Sequence, residues 1–424
     1  MASRFPLRFG VLYFGLYSLA TQLAGGVLLL PGAALPPLGH VWPLRDVTLW
    51  LATTVAGLTP PLLFTGNSGD TAFHWVQLAW IVVVAGTGAA AWAAANWPRV
   101  NEAALYAWFR LALRFLLAAQ MFYYGMAKVI PTQFQAPSLV TLVQPVGSLS
   151  LADLLWTFIG ASTSYQMLAG VAEVAAGLLL VVPRTAMLGA WLCIFDMLQV
   201  LVLNMAYDFG LKQLSFHLIL MAAVLVAPDV ARLVDFFLRR QATGPLLVER
   251  IPGVTSASGR RIASWLQVLA GLYLLVMFTN LSLRFWSTQG DGRPRSPAYG
   301  IWEVVELRLD GRTVATADAD YDRRWRRVIF DTPDMVAIQR TDDSVAHYGA
   351  ALEAGGTRLR LSKGRSRTWR AEFDVERPGA ADLRLTGEMD GYRIEARLRR
   401  VELDTFRLRQ SPFRWVRPPD PFAG

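Results

Sequence analysis

The sequence predicts a polytopic α-helical membrane bundle of about seven helices, followed by an all-β barrel domain. Of the 424 residues, 54% are hydrophobic and only 17% are charged, and the mean hydropathy is +0.34. Soluble domains carry about 25% charged residues. The charges are also uneven, because residues 1–289 hold 16 Lys/Arg and 10 Asp/Glu, whereas residues 290–424 hold 25 and 22. The first part is therefore suited to lipid and the second to water.

Seven apolar runs predict membrane helices, since each is near or above the ~20 residues that a hydrocarbon core of ~30 Å requires. They cover residues 8–30, 73–96, 107–130, 154–182, 185–206, 211–227 and 263–285. The first run could instead be a signal peptide that is cleaved near residues 32–34. Its ~23 apolar residues exceed the ~7–15 of an ordinary signal-peptide core, which favours a retained anchor.

The arginine distribution predicts the orientation, because cytoplasmic loops are enriched in Lys and Arg. One side offers only Arg45, Lys128 and Lys212. The other side carries Arg4, Arg8, Arg99, Arg110, Arg184, Arg232, Arg239, Arg240, Arg250, Arg260 and Arg261. We therefore expect an integral protein of the bacterial inner membrane with a cytoplasmic N-terminus and a periplasmic C-terminal domain. Because much of the net charge of +9 is loop arginine, it does not indicate nucleic-acid binding.

Beyond Arg284 the hydrophobic period changes from helical to alternating. Short segments of strand character recur at intervals of about 8–12 residues, which is typical of an antiparallel sandwich or barrel. Asp310-Gly311 is a hairpin-turn signal. The segments are 302–309, 326–330, 335–340, 345–349, 357–361, 368–375, 381–386, 392–400 and 404–409. Eight or nine such strands predict a small closed barrel, which leaves no exposed sheet edge.

These patterns divide the chain into five regions. They are residues 1–106 with two helices and a long outer loop (31–72), residues 107–238 with a four-helix bundle, residues 239–262 as a basic cytoplasmic loop, residues 263–285 as the last helix, and residues 290–424 as the barrel. Within the outer loop, Val47 to Gly57 could form an interfacial or re-entrant helix. Asp70 or Thr71 is expected to cap the helix that follows, and a ligand-binding loop is the alternative.

Polar side chains inside a membrane are costly, so each requires a reason. Gln120, Glu173, Asp196 and His217 fall near one level of four consecutive helices, about 15–18 Å from the cytoplasmic side. They could hold the bundle together, with Arg114 paired to Glu173 and Asp196 paired to His217. They could instead form a proton- or quinone-handling site. A metal site is the third possibility, but one His among carboxylates indicates no particular metal.

Lys128 ends the third predicted helix, where the helix dipole favours a cation without any further role. A lysine desolvated between helices could also act as a base or hold an anionic oxygen. The single cysteine, Cys193, excludes an internal disulfide and any multi-cysteine metal site, and we expect it to be a packing residue. His40, His74 and His347 are expected to be isolated.

The segment from Arg110 to about Asp235 resembles the DoxX family of four-helix bacterial membrane proteins. The resemblance lies in an Arg followed by Gly-x-x-Lys in RFLLAAQMFYYGMAKVIPTQF, in the Gly-x-x-Glu pattern of LAGVAEVAAGLLLVVPRT, and in the closing HLILMAAVLVAPDVARL. Together with its thiosulfate–quinone oxidoreductase relatives and, more distantly, vitamin-K-dependent carboxylase bundles, the family implies electron transfer to membrane quinone, often within a complex. The resemblance implies functional roles for Arg114, Lys128 and Glu173. This chain adds three helices and a large outer domain to the family's minimal form.

The barrel opens with Tyr299-Gly300-Ile301-Trp302, which is similar to the Gly-x-Trp opening of lipocalins and implies a barrel that can hold one apolar ligand. Our hypothesis is a DoxX-like, quinone-linked membrane subunit that contacts lipid and partner subunits. The catalytic candidates are Glu173, Lys128, Asp196 and His217, and the candidates for quinone binding are Arg114, Gln120 and Tyr124. The alternatives are a non-catalytic carrier of hydrophobic ligands, if Trp302, Leu307, Phe330 and Phe373 line a cavity, or a scaffold subunit, if they fill the barrel.

Overall fold

The computed structural model describes residues 5–31, 35–60, 69–95, 101–243, 251–314, 324–353, 356–363, 369–409 and 415–416. The chain forms two compact units. One comprises Met1–Gln133 and Ser164–Phe285, and the other comprises Phe134–Thr163 and Trp286–Gly424. The first unit is helical and the second contains the barrel. The stretch 134–163, which the sequence assigned to the bundle, is therefore grouped with the barrel.

The helices of the described residues are α1 (Phe5–Ala20), α2 (Gln22–Val27), α3 (Leu44–Trp50), α4 (Ala72–Ala94), α5 (Glu102–Val129), α6 (Leu139–Val143), α7 (Leu151–Gly160), α8 (Thr163–Val181), α9 (Ala186–Ala206), α10 (Lys212–Val226), α11 (Val230–Phe237) and α12 (Ala257–Thr288). Among them, six segments are long and apolar enough to cross a membrane: α4, α5, α8, α9, α10 continued by α11, and α12. Large apolar side chains on their surfaces, such as Leu168, Phe195 and Trp265, are exposed, as a lipid-facing surface requires. The predicted membrane bundle is confirmed.

Two predicted helices differ from the observed ones because the chain breaks within each. The run 8–30 is divided at Thr21, whose backbone is extended and whose hydroxyl donates to the Tyr17 carbonyl at 2.7 Å. This leaves α1 with 16 residues, or about 24 Å. The run 154–182 is divided between α7 and α8. A side chain at Gly160 would collide with the Gln135 carbonyl, so a close backbone approach holds the end of α7 within the second unit.

The second unit contains a closed, antiparallel barrel. Its strands are β1 (Gly300–Leu309), β2 (Arg312–Thr313), β3 (Trp325–Phe330), β4 (Met335–Arg340), β5 (Val345–Leu352), β6 (Arg358–Lys363), β7 (Trp369–Gly379), β8 (Asp382–Met389) and β9 (Tyr392–Arg400). Apart from the two-residue β2, which pairs only with the end of β1, each strand pairs with its sequence neighbours. Pairing of β1 with β9 closes a barrel of eight strands. The predicted barrel is confirmed.

The barrel turns follow the sequence signals closely. Asp310-Gly311 and Asp390-Gly391 both have positive φ at both residues (50° and 78°, 54° and 80°), as two-residue hairpin turns require. The prediction of a strand over 404–409 is wrong, because Leu403–Thr405 and Arg407–Arg409 form single 3₁₀ turns. Short local i→i+3 bonds within 403–409 replace strand pairing there.

Apolar side chains pack inside the described part of the barrel and also cover part of its outside. Trp302, Leu307, Phe330 and Phe373 are buried in one hydrophobic core, and the Trp302 indole donates to the Ala298 carbonyl at 2.9 Å. On the opposite face of the strands, Ile301, Ile329 and Ala337 pack against Leu139 of α6. Gln339 donates to the Val143 carbonyl at 3.1 Å and so fixes the end of α6. The four inward side chains therefore pack against one another as a core.

Candidate functional site

A buried ion pair joins α5 and α8 in the helical unit. Lys128 Nζ donates to Glu173 Oε1 at 2.6 Å and to Oε2 at 2.8 Å. Glu173 is 1% exposed and Lys128 is 7% exposed. Removing two charges from water is costly, and the cost is offset only where the geometry is good and further hydrogen bonds are made. A buried, bidentate pair in an apolar bundle is therefore a strong candidate for a functional site.

Small residues bring α5 and α8 close enough to form this pair. A Cβ atom at Gly170 would lie 2.6 Å from the Gly125 carbonyl oxygen and 2.7 Å from the Cβ of Lys128. One at Gly177 would lie 2.6 Å from the Phe122 ring. The glycines of the two quoted helix motifs thus permit close backbone contact, which is how small residues act at membrane helix interfaces. This contact sets the distance from Lys128 to Glu173.

Asp196 of α9 adds a second carboxyl to the pair. The carboxyl groups of Glu173 and Asp196 lie close enough to interact electrostatically, and Asp196 Oδ2 is buried with no hydrogen-bond partner. Cys193, one turn earlier on α9, lies beside both carboxyls and is fully buried. Two such carboxyls can hydrogen-bond to each other only when one of them carries a proton, since an ionised carboxylate only accepts. We call Lys128, Glu173 and Asp196 the carboxyl–lysine cluster.

A neutral hydrogen-bond network extends from the carboxyl–lysine cluster toward α2. Lys128 Nζ lies 5.7 Å from the centre of the Tyr124 ring, a distance at which a cation is attracted to an aromatic face. Gln22 of α2 donates to the Tyr124 hydroxyl at 2.9 Å and to Gln120 Oε1 at 3.0 Å. Tyr124 and Gln120 therefore belong to the surroundings of the ion pair. Gln22 was missed because its run was interpreted as part of a continuous anchor helix.

His217 lies in a different cluster. Its Nε2 is 2.6 Å from the Tyr13 hydroxyl, its Nδ1 is 2.6 Å from the Gln213 carbonyl oxygen, and its ring stacks on Tyr17 at 3.8 Å. These contacts connect α10 to α1. The expected pairing of His217 with Asp196 is therefore not formed, because His217 faces α1.

Arg114 is also separate from the carboxyl–lysine cluster. Its guanidinium donates to the carbonyls of Leu180 and Val181 at 3.0 and 2.9 Å, at the end of α8. One turn earlier, Arg110 donates to the Leu225 carbonyl near the end of α10 at 2.9 Å. Cations at helix C-termini satisfy carbonyls that have no intrahelical partner. The expected pairing of Arg114 with Glu173 is not formed, and 14 residues of helix place Arg114 about 21 Å from Lys128 along α5.

Residues of the loop 31–72 contact α10 and α4. The expected side-chain cap of α4 by Asp70 or Thr71 is not formed, because Thr71 occupies the N-cap position without a capping hydrogen bond. Asp70 instead caps α10: its carboxylate accepts from the backbone N–H groups of Leu211, Lys212 and Gln213 at 2.9, 2.7 and 2.9 Å. Residues 61–68 of this loop lie outside the described residues. His40 and His74, which were expected to be isolated, face each other with their Nε2 atoms 3.3 Å apart.

Fold and site together define a helical membrane protein with a buried carboxyl–lysine cluster and a C-terminal antiparallel barrel. Over 124 residues the chain is 33% identical to YwoB of Bacillus subtilis strain 168, which is described as an uncharacterized protein, and the match covers 29% of this chain and 79% of YwoB. The chain therefore belongs to the YwoB family. No protein-family model matches the chain, and no solved structure matches it.

Proposed function

We propose that this chain is a DoxX-like protein of the bacterial inner membrane that serves quinone-linked redox chemistry as a subunit of an envelope complex. The observation that carries the proposal is the carboxyl–lysine cluster, in which Glu173 is bound to Lys128 at 2.6 Å and lies beside the carboxyl of Asp196. The arginine-rich loops support a cytoplasmic N-terminus and a periplasmic barrel.

The charge count of the cluster supports a role in proton handling. Two carboxyls face one ammonium group, so the cluster is neutral only when one carboxyl carries a proton. An unpaired charge in a low-dielectric site is costly, so we expect the cluster to retain that proton. We place that proton between Glu173 and Asp196, where a bound acceptor could withdraw it.

The residues present fit a quinone head group. Asp196 Oδ2 is a buried polar atom with no hydrogen-bond partner, and the neighbouring Tyr124 and Gln120 are side chains that can bind a carbonyl oxygen. A quinone, when bound, takes up electrons and protons. In this site Asp196 would hold the proton, Lys128 would stabilise negative charge that remains on Glu173, and Gln22 would orient Tyr124.

The barrel supports a second role for the same chain, as a scaffold that recruits partners. Phe330 and Phe373 are 2% and 1% exposed and pack in the barrel core with Trp302 and Leu307. A buried apolar core of this kind favours the scaffold interpretation over that of a lipid carrier. We therefore propose that the barrel presents its outer surface to partner subunits.

Extraction of the purified protein tests the quinone proposal. The full chain is purified in detergent from membranes, and its organic extract is analysed for quinone per mole of protein. We expect the wild type to retain quinone, and expect Asp196→Asn and Lys128→Met to lose most of it. Asp208→Asn removes an exposed carboxyl that pairs with Lys212 and should leave the quinone content unchanged. Extracts without quinone, together with no uptake of added quinone by the folded wild type, would refute the proposal.

A further inference from the structure

A pair of histidines at the outer loop of the helical unit has the spacing of two ligands on one metal ion. Their Nε2 atoms are 3.3 Å apart. Two nitrogens at about 2.0–2.1 Å from one tetrahedral Zn²⁺ lie about 3.3 Å apart, because the angle between them is about 109°. His74 belongs to the first turn of α4, and His40 ends the short 3₁₀ turn Leu38–His40.

The orientation of His74 is fixed by a second contact. Its Nδ1 is 2.7 Å from Thr71 Oγ1, and the ring is 3% exposed. When Nδ1 donates to the threonine oxygen, Nε2 carries the lone pair that a metal needs. Ligating histidines usually have such a partner on the other ring nitrogen, and it fixes both tautomer and ring orientation.

His40 is held by the backbone of its own turn. The Gly39 carbonyl accepts from the Gln77 amide of α4 at 3.2 Å. A side chain at Gly39 would collide with that amide and with the Ala20 carbonyl, so the turn is packed tightly against α1 and α4. Because both imidazoles are positioned by neighbouring elements, little ordering is needed to bind an ion, and less affinity is lost to ordering.

We propose that His40 and His74 bind one divalent transition-metal ion of the Zn²⁺ class at the outer end of α4. No cluster of three or more His, Cys, Asp or Glu residues that could hold a metal occurs in the described part of the chain, so water or an added ligand completes the coordination. Such an open site suits an exchangeable or catalytic ion. Thr71 is the positioning residue for His74.

Titration with Co²⁺, whose visible spectrum reports tetrahedral nitrogen coordination, tests the proposal on the full chain purified without a histidine tag. The wild type is expected to bind one equivalent that Zn²⁺ displaces. His40→Ala and His74→Ala should weaken binding at least tenfold, and Thr71→Val should weaken it about 10–100-fold. His347→Ala removes an exposed histidine of β5 and should bind as the wild type does.

Folding of each variant is followed by thermal unfolding. Should the buried His74→Ala fail to fold, His40→Gln decides the question, because glutamine retains a hydrogen bond to His74 and lacks the imidazole ligand. We expect Zn²⁺ to raise the unfolding temperature of the wild type and not of His40→Gln. Absence of Co²⁺ binding by the folded wild type, or equal binding by His40→Gln, would show that the two histidines form only a hydrogen bond.

Discussion

Glu173 of α8 receives two short hydrogen bonds from the ammonium group of Lys128 on α5, at 2.6 and 2.8 Å, and both side chains are buried. The close approach of Gly125 and Gly170 makes this contact possible. The ion pair and the helix packing therefore depend on each other.

Removing only one charge of the pair should be more harmful than removing both. We expect Lys128→Met to lower the free energy of unfolding by about 3–5 kcal/mol, because it leaves the buried carboxylate of Glu173 without its cation. The double variant Lys128→Met/Glu173→Met should recover a large part of that loss. Unfolding of the wild type, the two single variants and the double variant in mixed micelles gives the coupling free energy between the two side chains. Additive losses in the double variant would show that the two side chains do not interact.

Gly170→Ala should force α5 and α8 apart, since the new methyl group would meet the Gly125 carbonyl at 2.6 Å and the Lys128 Cβ at 2.7 Å. We expect a loss of about 1–3 kcal/mol in stability together with reduced quinone content. Gly86→Ala in α4 is the matched control, because nothing lies within 4 Å of its added Cβ. It should be neutral or slightly stabilising. Equal unfolding midpoints for the two variants would contradict the proposed role of helix contact.

Asp70→Ala should remove the cap of α10 and destabilise the helical unit by about 1–2 kcal/mol, since three backbone N–H groups lose their acceptor. Leu211 adds to the effect, because its backbone has a positive φ of 111° that the Asp70 contact helps to hold. Thermal unfolding is the measurement. Asp208→Ala, at an exposed carboxyl near the same helix end, should have little effect, and comparable losses in both variants would rule out specific capping.

Arg114→Met should lower stability by about 1.5–3 kcal/mol and leave quinone retention unchanged, because the guanidinium satisfies the end of α8 and lies far from Lys128. The stability of Arg114→Lys should fall between that of the wild type and that of Arg114→Met, since one ammonium group cannot reproduce the planar fork of the guanidinium. Quinone extraction and unfolding are measured on the same preparations. A stable Arg114→Met protein that has lost quinone would contradict this prediction and would show that Arg114 contributes to quinone binding.

The fold could be predicted from the sequence because its signals are strong and local. Long apolar runs indicated the membrane helices, and the Asp-Gly turn at 310–311 agrees with the observed hairpin geometry. The breaks at Thr21 and at residues 161–162 could not be foreseen, because no proline marks them and both adjoining segments are apolar. They arise from tertiary contacts, such as the packing of Gly160 against the Gln135 backbone.

The sequence predicted which residue types form the candidate site, but not which of them face one another. Depth along the helices was a sound guide for Glu173 and Asp196, which do meet, but depth carries no information on helix rotation. The predicted site therefore included His217 and Arg114. In the structure His217 faces α1, and Arg114 binds the end of α8. The partnership of His40 with His74 also spans 34 residues and has no local signal.

The central claim, that Glu173 and Asp196 share a proton beside Lys128, is tested most directly by infrared spectroscopy of the purified chain at neutral pH in H₂O and D₂O. We predict a protonated-carboxyl C=O band in the wild type that disappears in both Glu173→Gln and Asp196→Asn. In either variant one carboxylate and Lys128 form a neutral pair that needs no proton. A wild type without that band, or a band unchanged in both variants, would contradict the proposed proton site.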